Sequence, residues 1–188
     1  MFEVELKLPA EHDSVRRELQ QREAIRCGEL TQRDRYYNAP HRDFAQTDEA
    51  LRIRTERPTD DSASQQVVAT TYLTYKGAKL EESSKTRPEH ETKVGSEESL
   101  VQIIESLGFE IAAAVIKHRE VYEIEQFEIT LDNVEEVGEF IEIEREIKRE
   151  ENVEVASNRI REFASGLGID PTTHLRESYL EMKLRNDN

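Results

Sequence analysis

The sequence has a single cysteine, no glycine-rich phosphate loop and no long apolar run, and each absence excludes a class of protein. Cys27 has no second cysteine with which to form an internal disulfide, so we expect an intracellular compartment. No apolar run approaches the roughly 20 residues that a membrane helix needs. The N-terminus starts with a strand pattern rather than with a basic and apolar signal region. Because a G-x-x-x-x-G-K loop is absent, any phosphate-binding site would have to be built from side chains.

Basic residues are outnumbered by acidic ones. The 188 residues include 41 Asp and Glu against 26 Lys and Arg, which gives a formal net charge of −15. Because such a field repels nucleic acid and anionic membranes, we expect neither as a partner. Two interpretations of the acidic composition stay open, namely adaptation to a salt-rich cytoplasm and an ordinary acidic cytoplasmic protein. The length suffices for one compact domain, which we expect over residues 1–188.

Short runs in which apolar and charged residues alternate strictly are the strongest structural signal, and they predict β-strands. These runs lie at residues 2–8, 51–54, 73–76, 116–124, 127–132 and 141–144, with a weaker one at 89–94. Helices are predicted around Val15 and Leu19, after the N-cap Ser96 and over about 152–167, with a short helix at 175–182. We expect loops at 60–70 and 81–88. The mixture of elements predicts an α+β fold.

The polar positions of these strands hold ionised side chains of both signs, where a solvated strand face usually also accepts Thr, Ser and Gln. Arg and Lys form charge-assisted hydrogen bonds to phosphate oxygens. Mg²⁺ prefers one or two carboxylates together with phosphates and water. Adjacent strands of opposite charge would therefore suit a triphosphate with its metal ion. The alternative for any one strand is a ladder of salt bridges on a solvated face.

The chain opens with Glu3-Val4-Glu5-Leu6-Lys7, and further motifs follow this one in order along almost the whole length. They are Asp34-Arg35-Tyr36-Tyr37, Ala50-Leu51-Arg52-Ile53-Arg54, Leu73-Thr74-Tyr75-Lys76-Gly77, Arg87-Pro88-Glu89-His90-Glu91, Lys117-His118-Arg119-Glu120-Val121-Tyr122, Leu131-Asp132-Asn133-Val134, Gly138-Glu139-Phe140-Ile141-Glu142-Ile143-Glu144 and Ser178-Tyr179. Together these motifs resemble the CYTH superfamily, the triphosphate tunnel metalloenzymes. Thr74-Tyr75-Lys76-Gly77 and the spacing of the Leu-Gly helix ends are most similar to the class IV adenylyl cyclase branch.

The resemblance implies an antiparallel eight-stranded β-barrel that forms a charged tunnel flanked by helices. It places metal binding, with Mg²⁺ or Mn²⁺ as the cofactor, on Glu3, Glu5, Asp132, Glu142 and Glu144. It places phosphate binding on Lys7, Arg52, Arg54, Lys76, Lys117 and Arg119. Lys7, Lys76 and Tyr36 are the candidate catalytic residues, and Arg87, Glu89 and Glu91 are further candidates. One departure from the pattern is Asn38, where relatives often carry Asp.

Three functions are compatible with this set of residues. The first is an adenylyl cyclase that converts ATP to cyclic AMP and pyrophosphate. The second is a triphosphatase for inorganic, thiamine or nucleoside triphosphate, and the third is a module that binds a nucleotide or polyphosphate without turnover. All three take a small triphosphate as the partner, and the oligomeric state is left open between a monomer and a homodimer.

Overall fold

The computed structural model describes residues 2–59, 68–78, 87–147 and 152–186, except for the side chains of Phe2 and Glu3. Most of the loop predicted at 60–70 and most of the loop predicted at 81–88 lie outside the described residues. In the described ranges the chain forms eight strands and four α-helices, with a 3₁₀ turn at Pro171–Thr173. In chain order the elements are β1 (Phe2–Pro9), α1 (His12–Gln21), β2 (Ile25–Asn38), β3 (Ala50–Pro58), β4 (Thr70–Lys76), β5 (Glu89–Val94), α2 (Glu97–Ser106), β6 (Glu110–Ile124), β7 (Phe127–Val134), β8 (Gly138–Ile147), α3 (Val153–Gly166) and α4 (Tyr179–Asn186).

The strands hydrogen-bond in the order β1-β8-β7-β6-β2-β3-β4-β5. The pairs β1–β8, β7–β8, β6–β7, β3–β4 and β4–β5 are antiparallel. The predicted α+β class and the eight antiparallel strands are thus confirmed. β1 and β5 end the order, so within the described residues no ladder closes the sheet into a hydrogen-bonded barrel.

Contacts divide the chain into two compact units, and each is described by itself. The first unit consists of residues 1–30 and 117–188, and the second consists of residues 31–116. The expectation of a single domain over 1–188 stays a prediction. No helix in the described parts of the chain combines the length and the apolar character needed to span a bilayer.

In the first unit, the apolar residues of the alternating strands form a core with two helices. Leu6 of β1 and Ile143 of β8 face each other in the register and are buried. They belong to one cluster with residues of α1 and α3, including Leu19 and Ile160. Fully burying such a side chain contributes about 1.5–3 kcal/mol. Val4 and Ile129 belong to the same cluster, so the apolar positions of the alternating runs pack under helices, away from the charged positions.

In the second unit, α2 covers the apolar face in the same way. Ile53 of β3 and Tyr37 of β2 pack with Ile104 of α2. The helix begins where the sequence predicts, because the side chain of Ser96 accepts a hydrogen bond from the Ser99 amide at 3.2 Å. It ends at Ser106, and Gly108 follows the C-cap Leu107 with a φ of 86°, which glycine adopts readily. The burial of Ile53 predicted from the alternation is therefore confirmed.

Alternation did not identify β2, which extends over 14 residues. Its sequence, Ile-Arg-Cys-Gly-Glu-Leu-Thr-Gln-Arg-Asp-Arg-Tyr-Tyr-Asn, has polar residues on both faces, so no period of two appears. Its strand conformation comes from pairing with neighbouring strands, which local propensity does not report. The last helix begins at Tyr179, whereas the sequence predicts its start near residue 175.

Candidate functional site

Register places the predicted site residues of the first unit on one face of its strands. Residues directly opposite each other in an antiparallel pair share a face. Glu5 pairs with Glu144, and Lys7 pairs with Glu142. Thr130 of β7 is opposite Glu142 on its other side. Arg119 of β6 and Asp132 of β7 also form an opposite pair. This face is opposite to the one that packs against α1 and α3.

Six residues of the first unit form a network that we call the first charged cluster, and Asp132 lies at its centre. Arg119 donates to both carboxylate oxygens of Asp132 at 2.6 Å. The Lys117 ammonium donates to Asp132 Oδ2 at 3.2 Å. Arg119 also donates to Glu142 at 2.5 Å, and Lys7 Nζ lies 3.6 Å from the same carboxylate. The cluster consists of Lys7, Lys117, Arg119, Asp132, Glu142 and Tyr179.

The cluster keeps its carboxylates ionised although they are buried. Burial raises the pKa of Asp132, but the hydrogen bonds and charge of Arg119, with the charge of Lys117, lower this pKa from 3.8 to about 2. Burial also raises the pKa of Glu142, and the charges of Arg119 and Lys117 bring it below its usual value. At neutral pH the face therefore holds fixed negative and positive charges side by side.

Tyr179, at the start of α4, completes the cluster. Its hydroxyl donates to Asp132 Oδ2 at 2.9 Å. Its ring centroid lies 4.2 Å from Lys7 Nζ and 5.2 Å from Lys117 Nζ. Burial, with the charges of Glu142 and Asp132, raises the pKa of Tyr179 far above its usual range, so the hydroxyl stays a donor. The sequence motif contained Tyr179 but gave it no role.

The second unit carries a smaller network, which we call the second charged cluster. It consists of Asp34, Arg52, Arg54, Thr74 and Glu91. Arg54 forms a bidentate salt bridge with Asp34, in which both N–O distances are 2.7 Å. The register places Arg52, Thr74 and Glu91 in one row across β3, β4 and β5. In that row the Thr74 hydroxyl donates to Glu91 at 2.7 Å. Asp34 was not predicted as a site residue, because its motif gave no hint of the pairing with Arg54.

Arg52 is held more loosely than Arg54. One of its terminal nitrogens lies 3.1 Å from Thr74 Oγ1 and 3.5 Å from Glu91, and the other lies 3.7 Å from Asp34. Its Nε is buried, and in the described part of the chain it has no hydrogen-bond partner. A buried donor without an acceptor is costly. Arg52 therefore retains a donor that an anion could satisfy.

The remaining predicted site residues lie in more open positions. Tyr36 is half-buried two residues beyond Asp34 on β2, and burial raises the pKa of its hydroxyl. Lys76 pairs with Glu89 at 3.1 Å near the surface, where such pairs contribute little. Arg87 donates to Asp48 at 3.1 Å and 3.2 Å. The side chain of Glu3 lies outside the described residues.

Four of the predicted metal ligands, Glu5, Asp132, Glu142 and Glu144, lie on the charged strand face of the first unit. Asp132 and Glu142 are engaged by cationic side chains of the first charged cluster. Glu5 and Glu144 are directly opposite each other, where two like charges destabilise the strand pair. A divalent cation would offset that repulsion, and hard carboxylate donors fit Mg²⁺ or Mn²⁺. No three His, Cys, Asp or Glu side chains among the described residues are gathered for a metal.

Comparison with known proteins gives matches over most of the chain. A family model described as the CYTH domain matches residues 1–179. A Methanocaldococcus jannaschii protein named as a candidate adenylate cyclase is 37% identical over 152 residues, which are 81% of this chain and 81% of that protein. A solved structure from Pyrococcus horikoshii has a TM-score of 0.81 at 36% identity and covers 98% of this chain and 99% of its own.

A further solved structure, from Hippeastrum, has a TM-score of 0.63 at 20% identity, covering 95% of this chain and 92% of its own. Its name gives a candidate adenylyl cyclase with a dominant triphosphatase activity. At this identity the likeness shows the fold alone.

Proposed function

Since the chain belongs to the CYTH domain family, whose members act on triphosphates, we propose that it is a metal-dependent enzyme that converts ATP to cyclic AMP and pyrophosphate. The M. jannaschii relative, which is named as a candidate adenylate cyclase, supports this activity over other triphosphate reactions.

The observation that carries the proposal is the burial of cationic side chains on strand faces. Lys7, Lys117 and Arg52 each expose less than a tenth of their surface. A ladder of solvated salt bridges would leave such residues in water, where ion pairs contribute about 0–1 kcal/mol. Burying a charged group costs several kcal/mol per ion unless close partners of opposite charge offset this cost. Function is a good reason to retain them, because enclosed cations bind a polyanion more strongly than solvated ones.

In the proposed reaction the ribose 3′-oxygen attacks the α-phosphorus of ATP. A bond forms between that oxygen and the phosphorus, the bond from the α-phosphorus to the bridging oxygen breaks, and pyrophosphate leaves. Lys7, Lys117 and Arg119 would bind phosphate oxygens and offset the charge that develops on the leaving group. For Arg52 of the second unit, phosphate binding is likewise a proposal, which its unsatisfied Nε supports.

Glu5 and Glu144 would hold the divalent ion, which when bound lowers the pKa of the 3′-hydroxyl and neutralises charge. Lys76 and Tyr36 stay candidate catalytic residues of the second unit. The raised pKa of Tyr36 suits a hydrogen-bond donor that orients substrate rather than a base. Asp132 and Glu142 would act by fixing the cations that surround them.

Product analysis tests the proposal. The purified protein is incubated with Mg²⁺ or Mn²⁺, at low and high KCl, with ATP and separately with inorganic triphosphate. We expect cyclic AMP and pyrophosphate from ATP. Orthophosphate as the main product would indicate a triphosphatase instead of a cyclase. Binding without product would indicate a binding module. Glu144→Gln should abolish the product, whereas Glu139→Gln, on the same strand but outside the charged row, should not.

A further inference from the structure

The segment from Leu175 to Met182 contacts Lys7, which lies near the other end of the chain. The Leu175 amide donates to the Lys7 carbonyl at 2.8 Å. The Lys7 ammonium in turn donates to the Glu177 carbonyl at 3.2 Å. The same ammonium lies over the ring of Tyr179. Both the backbone and the side chain of Lys7 are therefore fixed by this one segment.

Tyr179 reaches three members of the first charged cluster at once. Its ring faces the ammonium groups of Lys7 and Lys117 at 4.2 Å and 5.2 Å. These distances are within the range of cation–π attraction. Its hydroxyl donates to Asp132 Oδ2, the oxygen that also receives Lys117 and one nitrogen of Arg119.

A lysine has four rotatable bonds, so an unconstrained ammonium loses considerable side-chain entropy when it binds a phosphate. Two lysines that are already fixed over one ring lose less side-chain entropy on binding. Fixing Asp132 also fixes the orientation of Arg119, because that guanidinium binds both oxygens of the carboxylate. The cluster would thus meet a phosphate chain with its cations in place.

A purely structural role for Tyr179 is the alternative. Its ring also packs on Phe140, with centroids 5.2 Å apart, and Met182 of the same helix is buried. In that case the side chain would only anchor α4. The two roles differ in which part of the tyrosine matters and in whether binding or stability responds.

We propose that Tyr179 is a positioning residue of the triphosphate site, whose ring fixes Lys7 and Lys117 and whose hydroxyl fixes Asp132. The inference rests on the proposed function in taking a triphosphate as the ligand of the first charged cluster. It adds that the C-terminal segment belongs to the binding site.

Two substitutions separate the ring from the hydroxyl. Tyr179→Phe keeps the ring and removes the hydrogen bond, whereas Tyr179→Leu removes both. Affinity is measured by calorimetric titration with the α,β-methylene analogue of ATP in Mg²⁺, at a temperature where each variant is folded. We expect Tyr179→Phe to stay within about threefold of the wild type and Tyr179→Leu to lose about 5- to 30-fold. In kinetics, Tyr179→Leu should raise KM more than it lowers kcat.

Tyr122 offers a matched control in the same unit. It is similarly buried, and its hydroxyl donates to Glu120 at 2.7 Å, but it lies on the opposite strand face and belongs to the apolar core. Tyr122→Phe and Tyr122→Leu should lower the melting temperature and leave the affinity unchanged. If Tyr179→Leu does not fold, Tyr179→Met fills more of the same volume without a ring and takes its place.

Equal affinity of Tyr179→Leu and the wild type would overturn the positioning role, and equal losses in Tyr179→Phe and Tyr179→Leu would overturn the part of it that is assigned to the ring. In either case the wild type would still bind the analogue and the proposed function would stand. A wild type that neither binds the analogue nor forms a product would instead overturn both.

Discussion

Glu5 on β1 and Glu144 on β8 are directly opposite each other, so two carboxylates share one position of the strand pair. Like charges at such a position destabilise the pair by up to about 1 kcal/mol. We therefore expect Glu144→Gln to raise the unfolding free energy of the metal-free protein by about 0.5 kcal/mol. The same change should remove metal-dependent turnover. Urea denaturation in EDTA and turnover measured against Mg²⁺ concentration check the two effects. Wild-type activity at limiting Mg²⁺ would exclude Glu144 as a ligand.

Glu142, only two residues away, should respond in the opposite direction. It accepts a hydrogen bond from Arg119 and lies 3.6 Å from Lys7, so Glu142→Gln removes the negative charge that these buried cations face. Breaking a buried ion pair on one side costs about 3 kcal/mol. We expect a lower urea midpoint for Glu142→Gln than for the wild type. Stabilisation of Glu142→Gln would instead mean that the ion pairs of Glu142 with Arg119 and Lys7 do not stabilise the fold.

We expect Arg52 to bind the ligand and Arg54 to stabilise the fold. Arg52 is loosely held and has an unsatisfied Nε, so Arg52→Ala should weaken triphosphate binding by about 1.5–3 kcal/mol. Arg52→Lys should recover only part of this loss, because lysine lacks the planar fork. Arg54→Ala leaves Asp34 without its two-pronged partner and should lower stability by about 3 kcal/mol.

Calorimetric titration with the ATP analogue, together with a melting curve for each arginine variant, measures these effects. Unchanged affinity with lowered melting for Arg52→Ala would mean that Arg52 belongs to a structural ladder.

Replacing each of two buried threonines on the charged faces by valine should change the unfolding free energy in opposite directions. The Thr130 hydroxyl is buried and has no hydrogen-bond partner in the described part of the chain. Because an unsatisfied buried hydroxyl costs about 1–3 kcal/mol, Thr130→Val should raise the unfolding free energy. The Thr74 hydroxyl donates to Glu91 and accepts from Arg52, so Thr74→Val should lower it by about 1 kcal/mol. Paired urea titrations give both values, and a loss of stability in Thr130→Val would reveal a partner for its hydroxyl.

Stability should also depend on acid through Asp132. Its pKa in the folded protein is lowered from 3.8 to about 2, so the folded state binds a proton less readily than the unfolded state. The stabilisation is therefore complete above the unfolded pKa and is lost as pH falls through the folded one. A shift of this size corresponds to on the order of 2 kcal/mol.

We expect the stability difference between the wild type and Asp132→Asn to shrink by about this amount between about pH 5 and about pH 2. Urea midpoints over that range measure it. A difference that stays constant with pH would mean that Asp132 is not the ionised centre of the cluster.

Alternation in the sequence predicted which face of each strand a residue occupies, but not which residue it contacts. It correctly separated Ile129 from Asp132 and Ile53 from Arg52, because a period of two fixes the face. It could not show that Asp132 contacts Arg119 and Tyr179, since partners depend on register and on the path of residues distant in sequence. For the same reason it gave Asp34 no role and did not identify β2, whose residues are polar on both faces.

The position of β5 at one end of the hydrogen-bonded order has a consequence for association. Within the described ranges β5 has no second strand neighbour, and the free backbone groups of such a strand can pair with another chain, which invites aggregation. The sequence of β5, Glu-His-Glu-Thr-Lys-Val, has charged or polar side chains at five of its six positions, and those five are exposed. Pairing two copies of this strand would strip its charged side chains of water. Glu91 of the second charged cluster and the nearby Glu89 thus discourage edge-to-edge assembly.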